Sequence, residues 1–400
     1  MALISPEMPA APARESSTVT RLRILVAHNV SRRRTGGMSR LMGFIHDALE
    51  ADGHAVDYLC SEDLPKSLSG KLSRISFPLI VFLFARAKAR EGLPYDVVNV
   101  HEPSAALVTA GRAFAGNPAI VVTSYGVERR AWAILKEDSR RRRQHLSVRT
   151  RITHPMVTLT QSAFGLRYAD HVFCANLDDQ QYVLQHFGRR VGDVTCIRPG
   201  AESCFADAAR DRDYRRANRL IFPATWIERK GISDLVTAFS ELAVKYPALT
   251  LTVLGGGVAS DTILRSFPES LRPRLSCQYA KDDHETAAAF ANADAFVLPS
   301  LFEGTPLTLI EAMASGLPIV TTAMCGMKDV IHDGENGLLV PVHSPDSIVD
   351  ALDRLLRSAE MRAKVGQAAR ADALANYTWP RVAEPVKDAY RRIARVTHHS

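Results

Sequence analysis

The chain alternates short apolar runs with longer amphipathic segments. In its first half the runs are rich in Val and Ile, residue types that favour strands; they lie at residues 23–27, 96–100, 119–123, 171–174 and 194–197. The amphipathic segment 38–52 follows the first run and is a helix candidate. Apolar strands that alternate with helices predict a parallel sheet covered by helices on both faces.

The second half repeats this alternation after a polar interruption. Its strand candidates are residues 220–222, 249–254, 295–298, 318–321 and 337–340. Pro199-Gly200 and the charged stretch that follows predict a linker between two domains, and 400 residues suit two cores. We expect a tail over 1–20, an α/β domain over 21–200, a linker over 201–218, a second α/β domain over 219–375, and a final segment over 376–400 that contains a helix.

Three features bear on where the protein works. Residues 1–20 are rich in Pro, Ala and Ser and lack the apolar region of a signal peptide, so they are predicted to be disordered. The apolar run 77–85 is shorter than the ~20 residues that cross a bilayer, which leaves either a buried helix or a helix lying on an anionic membrane. Six cysteines without C-x-x-C spacing predict reduced, mostly buried thiols of a cytoplasmic protein.

The formal charge of +7 belongs to the first half of the chain. Residues 1–200 hold 27 Lys and Arg against 18 Asp and Glu, whereas the remainder holds 23 against 25. The basic residues concentrate at 32–34, 129–130 and 140–143. They form either solvated helix faces or the contact for an anionic partner such as an acidic glycan, a lipid-linked phosphate or an anionic membrane. No nucleic acid partner is predicted, because no recognition motif or interleaved aromatic residues accompany these runs.

The most informative segment is residues 300–318, SLFEGTPLTLIEAMASGLP. It predicts a loop at 303–305, a cap at Thr305, Pro306 at the first helical position, and a helix over 307–315 that Gly316 ends. Glu303 then precedes the helix N-terminus and Glu311 lies about two turns inside it. Unpaired backbone N–H groups at a helix start suit a phosphate, and carboxylates suit sugar hydroxyls, so the segment predicts a nucleotide-sugar site.

This segment resembles the E-x7-E signature of retaining glycosyltransferases of the GT-B fold, the family 4 group. Residues 169–176, 226–231, 251–256 and 293–300 resemble further segments of that family, in the family's order. The resemblance covers most of residues 22–395. It implies an α/β fold of two Rossmann-like, doubly wound parallel-sheet domains that face an interdomain cleft, with the C-terminal helix crossing back onto the first domain.

The resemblance also implies roles for particular residues. Glu311 corresponds to the family's ribose-binding acid and Glu303 to the acid against the donor sugar, while Arg229 and Lys230 are candidates for stabilising the diphosphate and Gly231 for a close backbone approach. Further donor-binding candidates are Gly304, Thr305, Pro306, Leu307, Thr308, Gly255 and Tyr279. Acceptor-binding candidates are Gly36, Gly37 and His101, and both His28 and His101 are expected to point toward the cleft from strand ends.

Two positions depart from the family pattern. Thr225 stands where the family commonly has an Arg, five residues before the Lys, and Tyr125 stands where it usually has a His. Tyr125 remains a catalytic candidate as a hydrogen-bond donor, but a phenol with a pKa of ~10 is a poor general base. In the family the leaving phosphate is thought to accept the acceptor's proton, so the loss of His is compatible with activity.

The function implied is a metal-independent, retaining hexosyltransferase that uses a UDP- or GDP-linked sugar and no cofactor. Its acceptor would be a glycan or lipid-linked molecule of surface polysaccharide or glycolipid synthesis, with the enzyme cytoplasmic and peripheral on the inner membrane face. The alternatives are a catalytically silent GT-B protein that binds a sugar nucleotide or a protein partner, and an epimerase on the same fold. Asp211-Arg212-Asp213 spells a D-x-D metal motif but follows no strand, so we expect a solvated linker there.

Overall fold

We describe a computed structural model of the protein. It describes residues 21–32, 36–64, 73–141 and 146–397. The predicted tail (residues 1–20) and part of two basic runs (Arg33, Arg34, Arg142 and Arg143) lie outside the described residues.

The first half of the chain forms a six-stranded sheet in which every neighbouring pair of strands is parallel. Its strands are β1 (Arg23–Ala27), β2 (Ala55–Leu59), β3 (Val97–His101), β4 (Ala119–Ser124), β5 (His171–Cys174) and β6 (Val194–Cys196). The order across the sheet is β2-β1-β3-β4-β5-β6. Strands β3, β4 and β5 are buried throughout, as expected for strands covered on both faces.

The second half forms another six-stranded parallel sheet. Its strands are β7 (Arg219–Phe222), β8 (Thr250–Leu254), β9 (Leu275–Gln278), β10 (Ala295–Leu298), β11 (Ile319–Thr322) and β12 (Leu338–Val340), in the order β12-β11-β10-β7-β8-β9. All ten predicted strands overlap observed ones. The two unpredicted strands, β2 and β9, are edge strands whose sequences include exposed polar residues, so they lack the apolar run that marks a central strand.

Helices connect and cover the strands. The first half contains α1 (Gly37–Ala51), α2 (Ser73–Arg90), α3 (Ala106–Ala110), α4 (Glu128–Arg140), α5 (Val148–Thr153), α6 (Thr160–Tyr168) and α7 (Leu177–His186), and a π-helical segment, His154–Leu159, joins α5 to α6. The second half contains α8 (Ser203–Ala208), α9 (Ile232–Lys245), α10 (Ser260–Arg265), α11 (Asp283–Asn292), α12 (Leu307–Ala314), α13 (Cys325–Val330), α14 (Pro345–Arg357), α15 (Ala359–Asn376) and α16 (Trp379–Thr397).

The last helix, α16, packs on the sheet of the first half. Val386, Ala389 and Tyr390 are buried in the same apolar cluster as Leu22 and Val97. The Asn99 Nδ2 donates a hydrogen bond to the Tyr390 hydroxyl at 2.8 Å, a buried polar contact that orients the helix. The chain therefore finishes on the half in which it began, which ties the two sheets together across the cleft.

The segment between the sheets is not the solvated linker that its charge predicts. Phe205 of α8 is fully buried in the core of the second half. The guanidinium of Arg212 donates hydrogen bonds to the carbonyls of Ser315, Ala293 and Phe290 at 2.6–2.8 Å. Arg212 therefore satisfies three carbonyl groups from two chain segments, the end of α11 and the end of α12, and this arginine is a structural anchor.

The apolar run 77–85 lies inside α2. Phe77, Val81 and Ala85 are fully buried four residues apart, so one face of the helix packs on the core, as the buried-helix interpretation requires. Among the described residues, no helix combines the length and the apolar content needed to cross a membrane. All six cysteines are free thiols; Cys60, Cys174 and Cys325 are buried and the other three are half-buried.

Candidate active site

A cleft of about 460 Å³ lies between the two halves, where loops from both sheets meet. Parallel strands present their carboxyl ends at one edge of a sheet, and ligands bind there in open α/β folds. The cleft brings together most of the predicted site residues: Gly36, Gly37, Tyr125, Arg229, Lys230, Gly255, Glu303, Gly304, Thr305, Pro306, Leu307, Thr308 and Glu311. Two predicted members, His101 and Tyr279, do not line it.

The helix at the centre of the cleft begins one residue later than predicted. Pro306 is the N-cap of α12 and Leu307 its first residue, so Glu311 lies little more than one turn inside the helix. Thr305 does not cap the helix; its hydroxyl donates to the Ala175 carbonyl at 2.7 Å, across the boundary between the halves. Gly316 ends the helix with φ +64°, as predicted.

Glu303 is held by the two adjacent cations of the second half. The Lys230 Nζ lies 2.6 Å from Glu303 Oε1, and the Arg229 Nη1 lies 3.4 Å from Oε2. Arg229 also donates to the Phe302 carbonyl at 2.9 Å. Because Glu303 is nearly buried and both cations line the cleft, an anion entering there meets two positive charges already positioned by a carboxylate.

Two glycines allow chain segments around the cleft to touch. A Cβ on Gly231, which has φ +73°, would lie 2.0 Å from the Pro299 carbonyl oxygen, so this glycine permits contact with protein backbone rather than with a ligand. A Cβ on Gly304 would lie 2.7 Å from the Tyr125 carbonyl oxygen and 2.9 Å from Ala175 Cβ. Gly304 therefore lets the Glu303 loop approach the first half of the molecule.

Glu311 is fully buried and is reached from the other half of the molecule. Its Oε1 lies 2.7 Å from the Arg40 Nη2 of α1, and that same nitrogen lies 2.7 Å from an Asp283 carboxylate oxygen of α11. Burial raises the pKa of Glu311 to about 7, while the Arg40 charge acts to lower it. Among the described residues, Glu311 Oε2 has no hydrogen-bond partner, which leaves a buried acceptor at the edge of the cleft.

Three aromatic side chains of the first half form a row of tilted ring contacts next to the cleft. Tyr125 lines the cleft, the His101 ring lies 5.1 Å from the Tyr125 ring, and the His28 ring lies 5.6 Å from that of His101. Both histidines are buried, and burial lowers the pKa of His28 to about 4 and that of His101 well below its usual range. Neither histidine lines the cleft, so the expectation that they point into it is wrong.

Tyr125 combines contact with the cleft and a buried hydroxyl. Burial raises its pKa above the ordinary range of a phenol, so it stays protonated. No hydrogen-bond partner for its hydroxyl exists within the described ranges. The hydroxyl is therefore enclosed by protein, and the phenol cannot act as a base near neutral pH.

Tyr279 lies outside the cleft because its side chain is exposed and its hydroxyl donates to the Val258 carbonyl at 2.6 Å. Its neighbour Ala280 lines the cleft instead, as does Thr225. Sequence reasoning missed Arg40, which no local pattern distinguishes from other helix-surface arginines. The signal available was its position three residues after Gly37, at the start of the helix that faces α12.

One group of described residues has the reach of a metal site. His46, Asp47 and Glu50 of α1 offer ligand atoms within 4.8 Å of one another. The two acids are exposed, and none of the three residues lines the cleft. Such groups are common on helix surfaces, and this one has no geometric relation to the cleft carboxylates.

Comparisons with known proteins agree with this architecture. The family model described as Glycosyltransferase Family 4 matches residues 35–203, and the one described as Glycosyl transferases group 1 matches residues 209–372. The cleft between two parallel sheets defines the chain as a GT-B protein. The two matched models place it among the group 1 glycosyltransferases of that fold, and the chain belongs to this family.

The relatives differ in how much of the chain they match. Phosphatidyl-myo-inositol mannosyltransferase of Mycolicibacterium smegmatis is 26% identical over 345 residues, 84% of this chain and 82% of the relative. Glycogen synthase of Mycobacterium tuberculosis is 25% identical over 226 residues, 56% of this chain and 55% of the relative. The chain thus spans about half the length of the first curated relatives that it matches.

Solved structures share the fold at low sequence identity. Sucrose-phosphate synthase from Thermosynechococcus elongatus superposes with a TM-score of 0.73 at 19% identity, covering 94% of this chain and all of that one. Anabaena HepE, solved in complex with UDP and glucose, superposes with a TM-score of 0.65 at 15% identity, covering 92% and 99%. At these identities the likeness concerns the fold alone.

Proposed function

We propose that the protein is a metal-independent, retaining glycosyltransferase that moves a hexose-type sugar from a nucleoside-diphosphate sugar to a glycan or lipid-linked acceptor. The observation that carries the proposal is the pairing of Glu303 with Lys230 and Arg229 in one cleft with the buried acid Glu311. The UDP bound by HepE, a structural neighbour, supports a UDP-linked donor, and GDP is the other candidate.

The arrangement suits the charge that the reaction develops. The bond from the anomeric carbon to the phosphate oxygen breaks, its electron pair goes to that oxygen, and the acceptor oxygen bonds to the carbon on the same face. Lys230 and Arg229 would stabilise the growing negative charge on the diphosphate, an effect worth about 3 kcal/mol for one donor in a preorganised site. The leaving phosphate would take the acceptor's proton, because Tyr125 is held protonated.

The donor's nucleoside would bind on the second half. Glu311 offers a buried carboxylate that can accept hydrogen bonds from ribose hydroxyls. The backbone of residues 304–308 leads into α12, whose unpaired N–H groups attract anionic oxygen. Gly255 and the loop at Ala280 complete the lining on that side.

The acceptor would bind on the first half, with Gly36 and Gly37 at the start of α1. A Cβ on Gly37 would lie 3.5 Å from Leu307 Cβ, so this turn faces the start of α12 directly. The basic surplus of the first half favours an acceptor that carries negative charge and is held near an anionic membrane. His101, behind Tyr125, would then support the acceptor site by packing rather than by contact.

Calorimetry of nucleotide binding tests this proposal. UDP, GDP, ADP and their common sugar conjugates are titrated into the protein with and without chelator, and into Glu311→Ala and the exposed control Glu241→Ala. Binding that survives chelator and that only Glu311→Ala weakens is expected. Binding that requires a divalent metal, or that is equal in the two variants, would contradict the assignment.

The second candidate is a catalytically silent GT-B protein. It is favoured by Tyr125 and Thr225 in place of the family's usual His and Arg. Donor binding without transfer to any acceptor, and without hydrolysis of the donor, would support it. Restoring transfer with Tyr125→His or Thr225→Arg would then identify the residues that silenced the site.

A further inference from the structure

The helical segment from α5 through the π-helix to α6 carries a line of exposed apolar side chains. They are spaced four or eight residues apart: Val148, Ile152, Met156, Phe164 and Tyr168, hereafter the stripe. Val148 is 73% exposed and Met156 is 70% exposed. Large apolar side chains in a row on one helix are unusual on a surface that faces only water.

The π-helical segment helps to keep the stripe on one side. Positions four residues apart drift around an α-helix, which has 3.6 residues per turn. A π-turn is wider, because its hydrogen bond spans five residues rather than four. The six π-helical residues, His154–Leu159, lie in the middle of the stripe and therefore offset part of the drift from the α-helical portions.

The same region holds a concentrated positive charge. Residues 128–168 contain ten Lys and Arg against three acidic residues, a surplus equal to the formal charge of the whole chain. Of the acids, Asp138 is buried and its Oδ1 lies 2.9 Å from His343 Nε2, while Glu137 is shared by Arg140 and Arg141. Arg130 pairs with Asp178 and Asp179 of α7, whereas among the described residues no acid lies within salt-bridge distance of Lys136, Arg149 or Arg151.

A hollow of about 470 Å³ lies between α4 and the stripe-bearing segment. Three cations line it: Lys136, Arg140 and Arg151. Apolar groups, including Trp132 and Leu146, form other parts of its lining. Arg151 donates to the Ser139 hydroxyl at 3.2 Å, which ties α5 to α4 across the hollow. The site thus offers cations for a phosphate beside apolar surface for a hydrocarbon chain.

We infer that this face binds the surface of an anionic phospholipid bilayer, with a lipid phosphate in the hollow and the stripe inserted among the acyl chains. A basic helix with an apolar line beside it is the pattern of interfacial helices, and juxtaposed Lys and Arg attract anionic headgroups. A soluble polyanion would pair with the cations but leave the stripe exposed to water. The inference extends the proposed function by naming the surface that would bring the cleft to a lipid-linked acceptor.

Vesicle sedimentation tests the inference. The protein is mixed with vesicles of phosphatidylglycerol and phosphatidylcholine, or of phosphatidylcholine alone, at low and at physiological salt. We expect binding to the anionic vesicles only, weaker at higher salt. Met156→Asp should lower the partition coefficient about tenfold through lost apolar burial, and Arg149→Glu at least about fivefold, the effect of one basic residue at an anionic surface.

Matched controls lie on the second half. Val244→Asp places an acid at an apolar position that is 82% exposed, and Arg265→Glu reverses an exposed basic residue; neither should change vesicle binding. Equal binding to neutral and anionic vesicles, or none to either, would overturn the inference. So would a loss with Arg149→Glu but not with Met156→Asp, because that result identifies a polyanion site. Nucleotide binding, measured in parallel, reports the cleft separately and should be unchanged in all four variants.

Discussion

The two halves of the molecule share one fold and differ in what they present to solvent. Each is a six-stranded parallel sheet covered by helices. Among the described residues, thirteen of the seventeen exposed large apolar side chains belong to the first half and four to the second. The first half also holds the whole basic surplus. The second half holds Lys230, Glu303 and Glu311 beside a continuous core.

This difference indicates that the two halves, although they share a fold, have different roles. The second half has buried its apolar surface and concentrates its chemistry at one helix start and one loop. The first half keeps apolar and basic groups exposed, which lowers solubility unless a partner covers them. We therefore expect substitutions in the second half to change donor binding and turnover, and substitutions on the first half to change where the protein binds.

The largest expected effect is a loss of turnover in a variant whose membrane-binding surface is unchanged. Lys230→Ala removes a cation that pairs with Glu303 at 2.6 Å, so turnover should fall about 10²- to 10³-fold. The measurement is product formation from a saturating donor. Lys245→Ala is the control: this lysine pairs with Asp353 of α14, does not line the cleft and should be dispensable for activity. Retained activity in Lys230→Ala would contradict a role for this cation, and vesicle binding should be normal in both variants.

The next effect concerns the protonation of Glu311. With a pKa of about 7, this acid is mostly protonated below neutral pH and ionised above it. An ionised carboxylate accepts more hydrogen bonds from ribose, so nucleotide affinity should rise about tenfold or more as pH increases through 7. Calorimetry between pH 6 and 8 (roughly one unit either side of the pKa) measures this.

Glu311→Gln provides the comparison for that pH profile. The amide cannot ionise, so any remaining slope reports the titration of the nucleotide's own phosphate. If affinity depends on pH equally in the wild type and in the variant, ionisation of Glu311 does not cause the pH dependence. A steeper wild-type slope would indicate that it does.

A smaller effect tests the contact between the halves. Gly304→Ala places a Cβ 2.7 Å from the Tyr125 carbonyl oxygen, so the Glu303 loop must move away from the first half. Overpacking of this kind lowers the free energy of unfolding by about 1–3 kcal/mol. Urea denaturation measures it, with Gly192→Ala as the control, because a Cβ there meets nothing within 4 Å. Equal stability in the two variants would show that the loop adapts.

The smallest expected effect tests whether a residue of the first half, Arg40, contributes to the donor site of the second half. Arg40→Ala removes the charge that lowers the pKa of Glu311, so the rise in nucleotide affinity should move to higher pH. Arg40→Lys keeps the charge and should move it less. An unchanged profile in Arg40→Ala would mean that the donor site belongs to the second half alone.

Much of the fold was predictable because it follows from local patterns. All ten predicted strands overlap observed ones, and Gly316 ends α12 as its position after the helix predicts. The edge strands β2 and β9 were missed because half-exposed strands lack a long apolar run. The cap at Thr305 was predicted wrongly because its hydroxyl finds a partner in Ala175, a contact between halves that no local rule contains.

The candidate site divides in the same way. The motif around Glu303 and the pair Arg229-Lys230 were readable from residues close together in the chain, and the cleft contains all of them. His101 ends a strand as expected, but it is buried beside Tyr125 and does not line the cleft. Whether a strand-end residue reaches open space depends on what its neighbours in the sheet place above it.

Local patterns in the chain account for the alternation of strands and helices, the division into two similar halves and the loop-helix segment that carries both acids. Apolar periodicity, helix capping and helix termination at glycine depend on a few neighbouring residues, so they can be recognised from the sequence alone. Tertiary packing, in contrast, brings Arg40 to Glu311 and leaves the apolar side chains of Val148, Ile152 and Met156 exposed. Both depend on which surfaces face one another after packing, and residues distant in the chain set that outcome.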